Sequence, residues 1–136
     1  MIPVGTKGRA SETVTAEKTA AAVGSGTHAV YATPCMCALM EKAAWISIAP
    51  YLGENEASVG TGLEIRHLAP TLPGETVEAV SEVTEADGRR IRFRITVSDG
   101  AGVVGEGFHT RAVIDTARFL AGAEKRACTV CEEVKK

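Results

Sequence analysis

Residues 33–52, TPCMCALMEKAAWISIAPYL, decide the fold. Thr33-Pro34 is a helix start signal, because a threonine hydroxyl can cap an orphan backbone N–H and a proline at the first helical position loses nothing by lacking its own. The residues that follow are apolar almost all round, with Glu41 and Lys42 the only charges. A helix wrapped by a sheet or shared with a second subunit has that character. Pro50 ends it because proline cannot donate into the helical ladder, and Gly53 tolerates the turn beyond.

Upstream, residues 1–26 are rich in Thr, Ala and Gly, and a weak alternation over Thr13–Lys18 predicts a first strand. Gly24-Ser25-Gly26 then predicts a loop leading into the helix. Downstream, four stretches read as antiparallel strands. Gly60–Ala69 sets Leu63, Ile65 and His67 against Glu64, Arg66 and Leu68, and Thr76–Thr84 alternates Val77, Ala79, Ser81 and Val83 against Glu78 and Glu82. Pro73-Gly74 joins these two. Asp87-Gly88 predicts a hairpin into Ile91, Phe93, Ile95 and Val97, which alternate with Arg90, Arg92 and Arg94, and Asp99-Gly100 turns into Val103–Ile114. A short helix over Thr116–Arg126 and a frayed polar tail complete the chain. One long helix against four strands in a meander predicts an α+β domain whose sheet curls around the helix. That domain spans residues 1–136, with its core over about 10–115 and a tail over 116–136.

A chain of 136 residues holds one domain, and its 45% hydrophobic and 24% charged residues are those of a globular protein. A net charge of −2 provides no field for nucleic-acid phosphates, and no local basic patch replaces it. No run approaches the roughly 20 apolar residues of a membrane span, and no secretory h-region follows Lys7 and Arg9, so the expected location is cytoplasmic. Four cysteines fall as Cys35/Cys37 and Cys128/Cys131, which in that setting are expected as thiols. CxC and CxxC with a histidine can imitate a zinc site, but one pair lies in the apolar helix start and the other in the polar tail. No Walker loop or dinucleotide fingerprint is present, and neither cofactor nor metal is expected.

Glu41 stands out because its helical neighbours at three and four residues are Cys37, Ala38, Ala44 and Trp45. Desolvation there would raise its pKa toward that of a general base; the plainer reading is a rim carboxylate paired with Lys42 or an arginine. His67 is in phase with Leu63 and Ile65 and therefore faces the helix, either as a satisfied core histidine or as a catalyst. Thr33 has the structural task of an N-cap, yet a helix N-terminus also suits a developing oxyanion. Thr33 and Glu41, eight residues apart, are separated by about 12 Å along the helix. One substrate atom can hardly meet both unless Thr33 lies off the helix axis or belongs to a second chain; the second case predicts a composite site in a homodimer, with further assembly open. Cys35 with His67 as its base is a minor alternative. The arginines at 90, 92 and 94 form a solvated sheet face or hold a CoA phosphate.

VYATPCMCALMEKAAWISIAPYL, SVGTGLEIRHLAPTLPGETV and GEGFHTRAVI together resemble the fluoroacetyl-CoA thioesterase group of hot-dog proteins, in a match covering most of Val30–Ile114. The resemblance implies a hot-dog fold, dimerisation, and hydrolysis of an acyl-CoA thioester to a carboxylate and free CoA. It implies a catalytic set of Thr33, Glu41 and His67, with the Gly60 amide as a candidate for holding the thioester carbonyl or a water. His109 and Arg111 match the group's late strand and are expected in structure or in CoA contact. The segment before Thr33 reads GSGTHAVYA, with Tyr31 its only aromatic, where the fluoroacetyl-specific enzyme has several. A different short, medium or aromatic acyl group is therefore expected, with Tyr31 as a substrate contact. An acyl-CoA-binding protein without hydrolysis, or a hot-dog hydratase or dehydratase, are the rival readings.

Overall fold

The computed structural model describes residues 1–135, and the side chains of residues 1–129 among them. Its elements are β1 (Lys7–Thr13), a 3-10 turn (Ala16–Lys18), α1 (Ala20–Val23), α2 (Thr33–Ile48), a second 3-10 turn (Ala49–Tyr51), β2 (Glu56–His67), β3 (Thr76–Asp87), β4 (Arg90–Asp99), β5 (Gly102–Asp115) and α3 (Thr116–Lys135). The five strands form one antiparallel sheet in the order β1-β3-β4-β5-β2, curled around α2.

The core follows from the alternation. Val77, Ala79, Val83, Ile91, Phe93, Ile95 and Val97 are buried on the inner face and meet Met36, Leu39, Met40, Ala43, Ala44 and Ile48 of α2. On β5 the inner positions nearest the helix are glycines. A Cβ at Gly105 would collide with the Met36 sulfur, and one at Gly107 would stand 3.1 Å from the Met40 methyl. Two flexible thioethers thus fill the space that missing side chains leave, drawing helix and sheet together.

Four features depart from the sequence expectations. The first strand is Lys7–Thr13, ending where the alternation was read as beginning, and residues 16–18 form the 3-10 turn. β1 is held by its ladder to β3 and by the close approach of Gly8 to Ala43 and Ser47, not by β-branched residues of its own. The late strands do not form a four-strand meander. β3, β4 and β5 are consecutive neighbours, but β2 lies beside β5 at the far edge, so residues 68–75, including Pro73-Gly74, carry the chain across the sheet. α2 is regular to Ile48, and Pro50 falls within the 3-10 turn that closes it. The tail is one continuous helix, α3, where fraying beyond Arg126 was expected. Among the described residues no helix is long and apolar enough to cross a membrane.

Candidate active site

Two polar clusters lie along α2, one at its start and one at its middle. At the start, the N-cap is Ala32, in extended conformation and without a side-chain cap, and Thr33 is the first helical residue. The capping role expected of Thr33 is therefore absent. Its hydroxyl instead meets His67 Nδ1 at 2.7 Å, at the end of β2. Burial pushes the His67 imidazole below its ordinary range, against the Ala69 carbonyl, so the ring is neutral near pH 7. His67 Nε2 is buried and has no hydrogen-bond partner among the described residues.

Tyr31 stands beside this pair with its ring edge toward His67, centroids 6.5 Å apart. It is fully buried, and its hydroxyl donates to Glu12 Oε2 at 2.5 Å, while Lys18 pairs with the same carboxylate. Burial first, and Glu12 second, push the phenol far above its usual range. Tyr31 is thus an anchored wall residue of the cavity of about 330 Å³ over Thr33 and His67, not a loose lid aromatic.

The second cluster surrounds Glu41. Its side chain is 43% exposed, so the expected desolvation among apolar neighbours is not observed; the plainer reading, a rim carboxylate paired with an arginine, is the one the structure shows. Arg111 of β5, 6% exposed, approaches Glu41 Oε2 with Nη1 at 3.4 Å. The guanidinium is itself fixed from below: Nε donates to Ser58 Oγ at 2.8 Å, Nη2 to the Ser58 carbonyl at 2.9 Å, and Nη1 also points to His109 Nε2 at 3.2 Å. Burial lowers the Arg111 pKa and Glu41 opposes the shift; an arginine remains cationic.

The proton on His109 follows from its partners. Arg111 can only donate, so His109 Nε2 accepts, and Nδ1 carries the hydrogen donated to the Gly62 carbonyl at 2.8 Å. Burial first, and the adjacent Arg111 charge, lower the His109 pKa and keep this ring neutral, while Phe93 stacks on it with centroids 5.8 Å apart. The 3.9 Å approach of His109 to Glu41 is therefore proximity, not an ion pair. Gly60 completes the cluster: a Cβ there would land on Glu41 Oε2 and stand 3.2 Å from His109 Cε1. Gly60 lies opposite Arg111, next to a bulge that shifts the β2–β5 register before Gly62.

Glu41 and His67 belong to different clusters. The helix separates Glu41 from Thr33 by about 12 Å, and the seven residues from Gly60 to His67 span about 23 Å of β2. His109 and Arg111 serve Glu41. In the sequence they were named through the resemblance alone; their parity with buried Val113 is a signal that could have placed both on the inner face. Cys35 does not join His67: burial raises its thiol pKa, and the His67 Nδ1 is held by Thr33. Among the described residues no group of three or more candidate ligands forms a metal cluster. Arg90, Arg92 and Arg94 lie on the outer face, where Arg90 pairs with Glu85 at 3.8 Å and Arg92 covers Phe108.

Comparison with known proteins separates the remaining readings. The model of the family described as FlK, fluoroacetyl-CoA-specific thioesterase, matches residues 14–117. The fluoroacetyl-CoA thioesterase of Streptantibioticus cattleyicolor is 40% identical over 97 residues, 71% of this chain and 70% of that protein. A solved structure of the fluoroacetyl-CoA thioesterase FlK aligns with a TM-score of 0.87 at 34% identity, covering 92% of this chain and 97% of that one. A Thermus thermophilus hypothetical protein, a thioesterase superfamily member, aligns with a TM-score of 0.89 at 31% identity over 98% of both chains. The chain has the hot-dog fold, is a thioester hydrolase, and belongs to the fluoroacetyl-CoA-specific thioesterase family.

Proposed function

We propose that this protein hydrolyses an acyl-CoA at a site assembled between two copies of the chain, Thr33 and His67 from one and Glu41 from the other. The carrying observation is the split itself: Thr33 is hydrogen-bonded to His67 at 2.7 Å, while Glu41 is tied to Arg111 elsewhere on the same helix. β2 supplies a means of joining the halves. It is a 12-residue edge strand, and long edges are normally paired or covered. Antiparallel pairing with a second β2 about a two-fold axis at Glu64 would place His67 opposite the bulge at the partner subunit's Gly60, and hence near the partner subunit's Glu41.

In the proposed reaction Glu41 takes a proton from a water whose oxygen bonds to the thioester carbon, and the Gly60 amide supports the carbonyl oxygen. The C–S bond breaks as the adduct collapses, and the CoA thiolate takes up the proton that Glu41 removed from the water, passed on through His67, which Thr33 orients, so that Glu41 is again a carboxylate. Water and thioester become a carboxylic acid and a thiol. Direct attack by Glu41 through an anhydride has the same overall balance, and single-turnover incorporation of labelled water oxygen into Glu41 distinguishes it. We place the reaction in the cytoplasm, where acyl-CoAs are available.

Mixing two inactive variants tests the assembly. Glu41→Gln and Thr33→Ala, unfolded together and refolded, should regain roughly one quarter of wild-type thiol release, because half the dimers are mixed and each holds one intact site of two. No recovery, with mixed dimers demonstrated by mass, would refute the shared site. Wild-type protein that releases no thiol from any of a panel of acyl-CoAs would refute the acyl-CoA reading.

A further inference from the structure

The geometry points to a binding site for the acyl group in the cavity between the end of α2 and the start of β2, and to an apolar acyl group larger than acetyl. This rests on the acyl-CoA reading above and adds the class of acyl group to it. The cavity holds about 390 Å³, and its lining includes Trp45, Ala49, Leu52, Ala57, Ser58 and Arg111, together with Glu56 at its rim, whose carboxylate accepts from the Gly53 amide and pairs with Arg89. Arg111 connects it to the chemistry, because the same guanidinium that contacts Glu41 forms the inner end of the cavity. Trp45 lies one helical turn beyond Glu41 and turns a 45% exposed indole toward this space.

The chemistry of the walls selects the occupant. The Ser58 hydroxyl accepts from Arg111 Nε, and its carbonyl accepts from Nη2, so the polar groups at the inner end are engaged with each other. Trp45, Ala49, Leu52 and Ala57 leave mostly apolar surface. A space of 390 Å³ falls in the range, about 300–1,000 Å³, of pockets that bind small organic ligands. A two-carbon acyl group would leave most of it unfilled and forgo the contacts of its lining. A butyryl, hexanoyl or phenylacetyl chain would lie along α2 from Glu41 toward Trp45.

Trp45 is the single tryptophan of the chain, so its fluorescence reports on this cavity directly. Hexanoyl-CoA or phenylacetyl-CoA added to the Glu41→Gln variant should move the emission to shorter wavelength by displacing water from the indole. Acetyl-CoA and free CoA should not. Turnover gives the second measurement: Ala49→Phe, which adds bulk at an exposed position on the cavity rim, should lower the kcat/KM ratio of hexanoyl-CoA to acetyl-CoA about tenfold, through KM. Trp45→Ala should lower the same ratio. Emission that responds equally to acetyl-CoA and hexanoyl-CoA, or to neither, would overturn the assignment, as would ratios unchanged in both variants. Absence of thiol release from every acyl-CoA, alongside a fluorescence shift with the larger ones, would refute the hydrolytic reading and leave the binding site standing.

Discussion

Gly60→Ala is the smallest change that should separate the site from the fold. The added Cβ would land on Glu41 Oε2, 3.2 Å from His109 Cε1 and 3.4 Å from Arg111 Nη1. His109 and Arg111 are buried and held by Gly62 and Ser58, so the half-exposed Glu41 is the group that yields. The stability cost is that of losing a long contact to a partly exposed carboxylate, discounted for solvent to about 1 kcal/mol or less. For a domain of this size that lowers Tm by roughly 3–5 °C. Activity should suffer far more, because Glu41 is the base of the proposed reaction and displacing such a group by about an ångström costs on the order of a hundredfold. Thiol release at saturating acyl-CoA and a thermal melt by circular dichroism measure the two effects. In the Glu41→Gln background the same glycine change should add little, since both act through one carboxylate. Turnover within twofold of wild type, or full additivity with Glu41→Gln, would refute the placement of Glu41 against Gly60 as the functional arrangement.

Three further outcomes are expected. Thr33→Ala should lower hydrolysis by about 10²–10⁴-fold while costing less than the roughly 1 kcal/mol of a lost N-cap, because Ala32 occupies the cap; a larger loss in denaturant melts would show the hydroxyl to be structural. His67 and His109 both have pKa values lowered by burial, so below about 6.5 the unfolded chain binds protons that the folded one refuses. Stability should therefore fall with pH from about 6.5 through the lowered folded pKa values, and His109→Gln should flatten that decline in melts recorded from pH 7 to 5. Tyr31→Phe keeps the ring beside His67 but removes the hydrogen bond to Glu12, and should cost about 1 kcal/mol in urea unfolding; no change would mean that Glu12 and Lys18 alone fix this corner.

The legible parts of the fold were those where periodicity and packing agree. Val77 to Val83 and Ile91 to Val97 alternate cleanly, and the same residues line the core. β1 was misplaced because KGRASET contains no β-branched apolar residue, and what makes it a strand lies in β3 and α2. Alternation also says which way a residue faces but not which strand is beside it, so β2 was given the wrong neighbour. At the site, phase placed His67 toward the helix, where it meets Thr33. The Arg111 contact to Glu41 joins residues 70 apart in the chain, and no local pattern encodes such a pairing. Thr33-Pro34 fits a cap followed by the first helical residue just as well as a helix begun one residue earlier. Only the presence of His67 tells which.

Both polar clusters ride on a single unbroken helix, and this makes α2 a ruler as well as a core element. Inserting one residue between Thr33 and Glu41 would turn the carboxylate about 100° around the axis and lift it off Arg111. The spacing of eight is therefore a fixed quantity of the fold, while the cavity walls beyond Trp45 are free to vary. Substitutions in the walls of the proposed acyl site could thus change the acyl group accepted, whereas any change in the interval between hydroxyl and carboxylate would disturb both clusters at once.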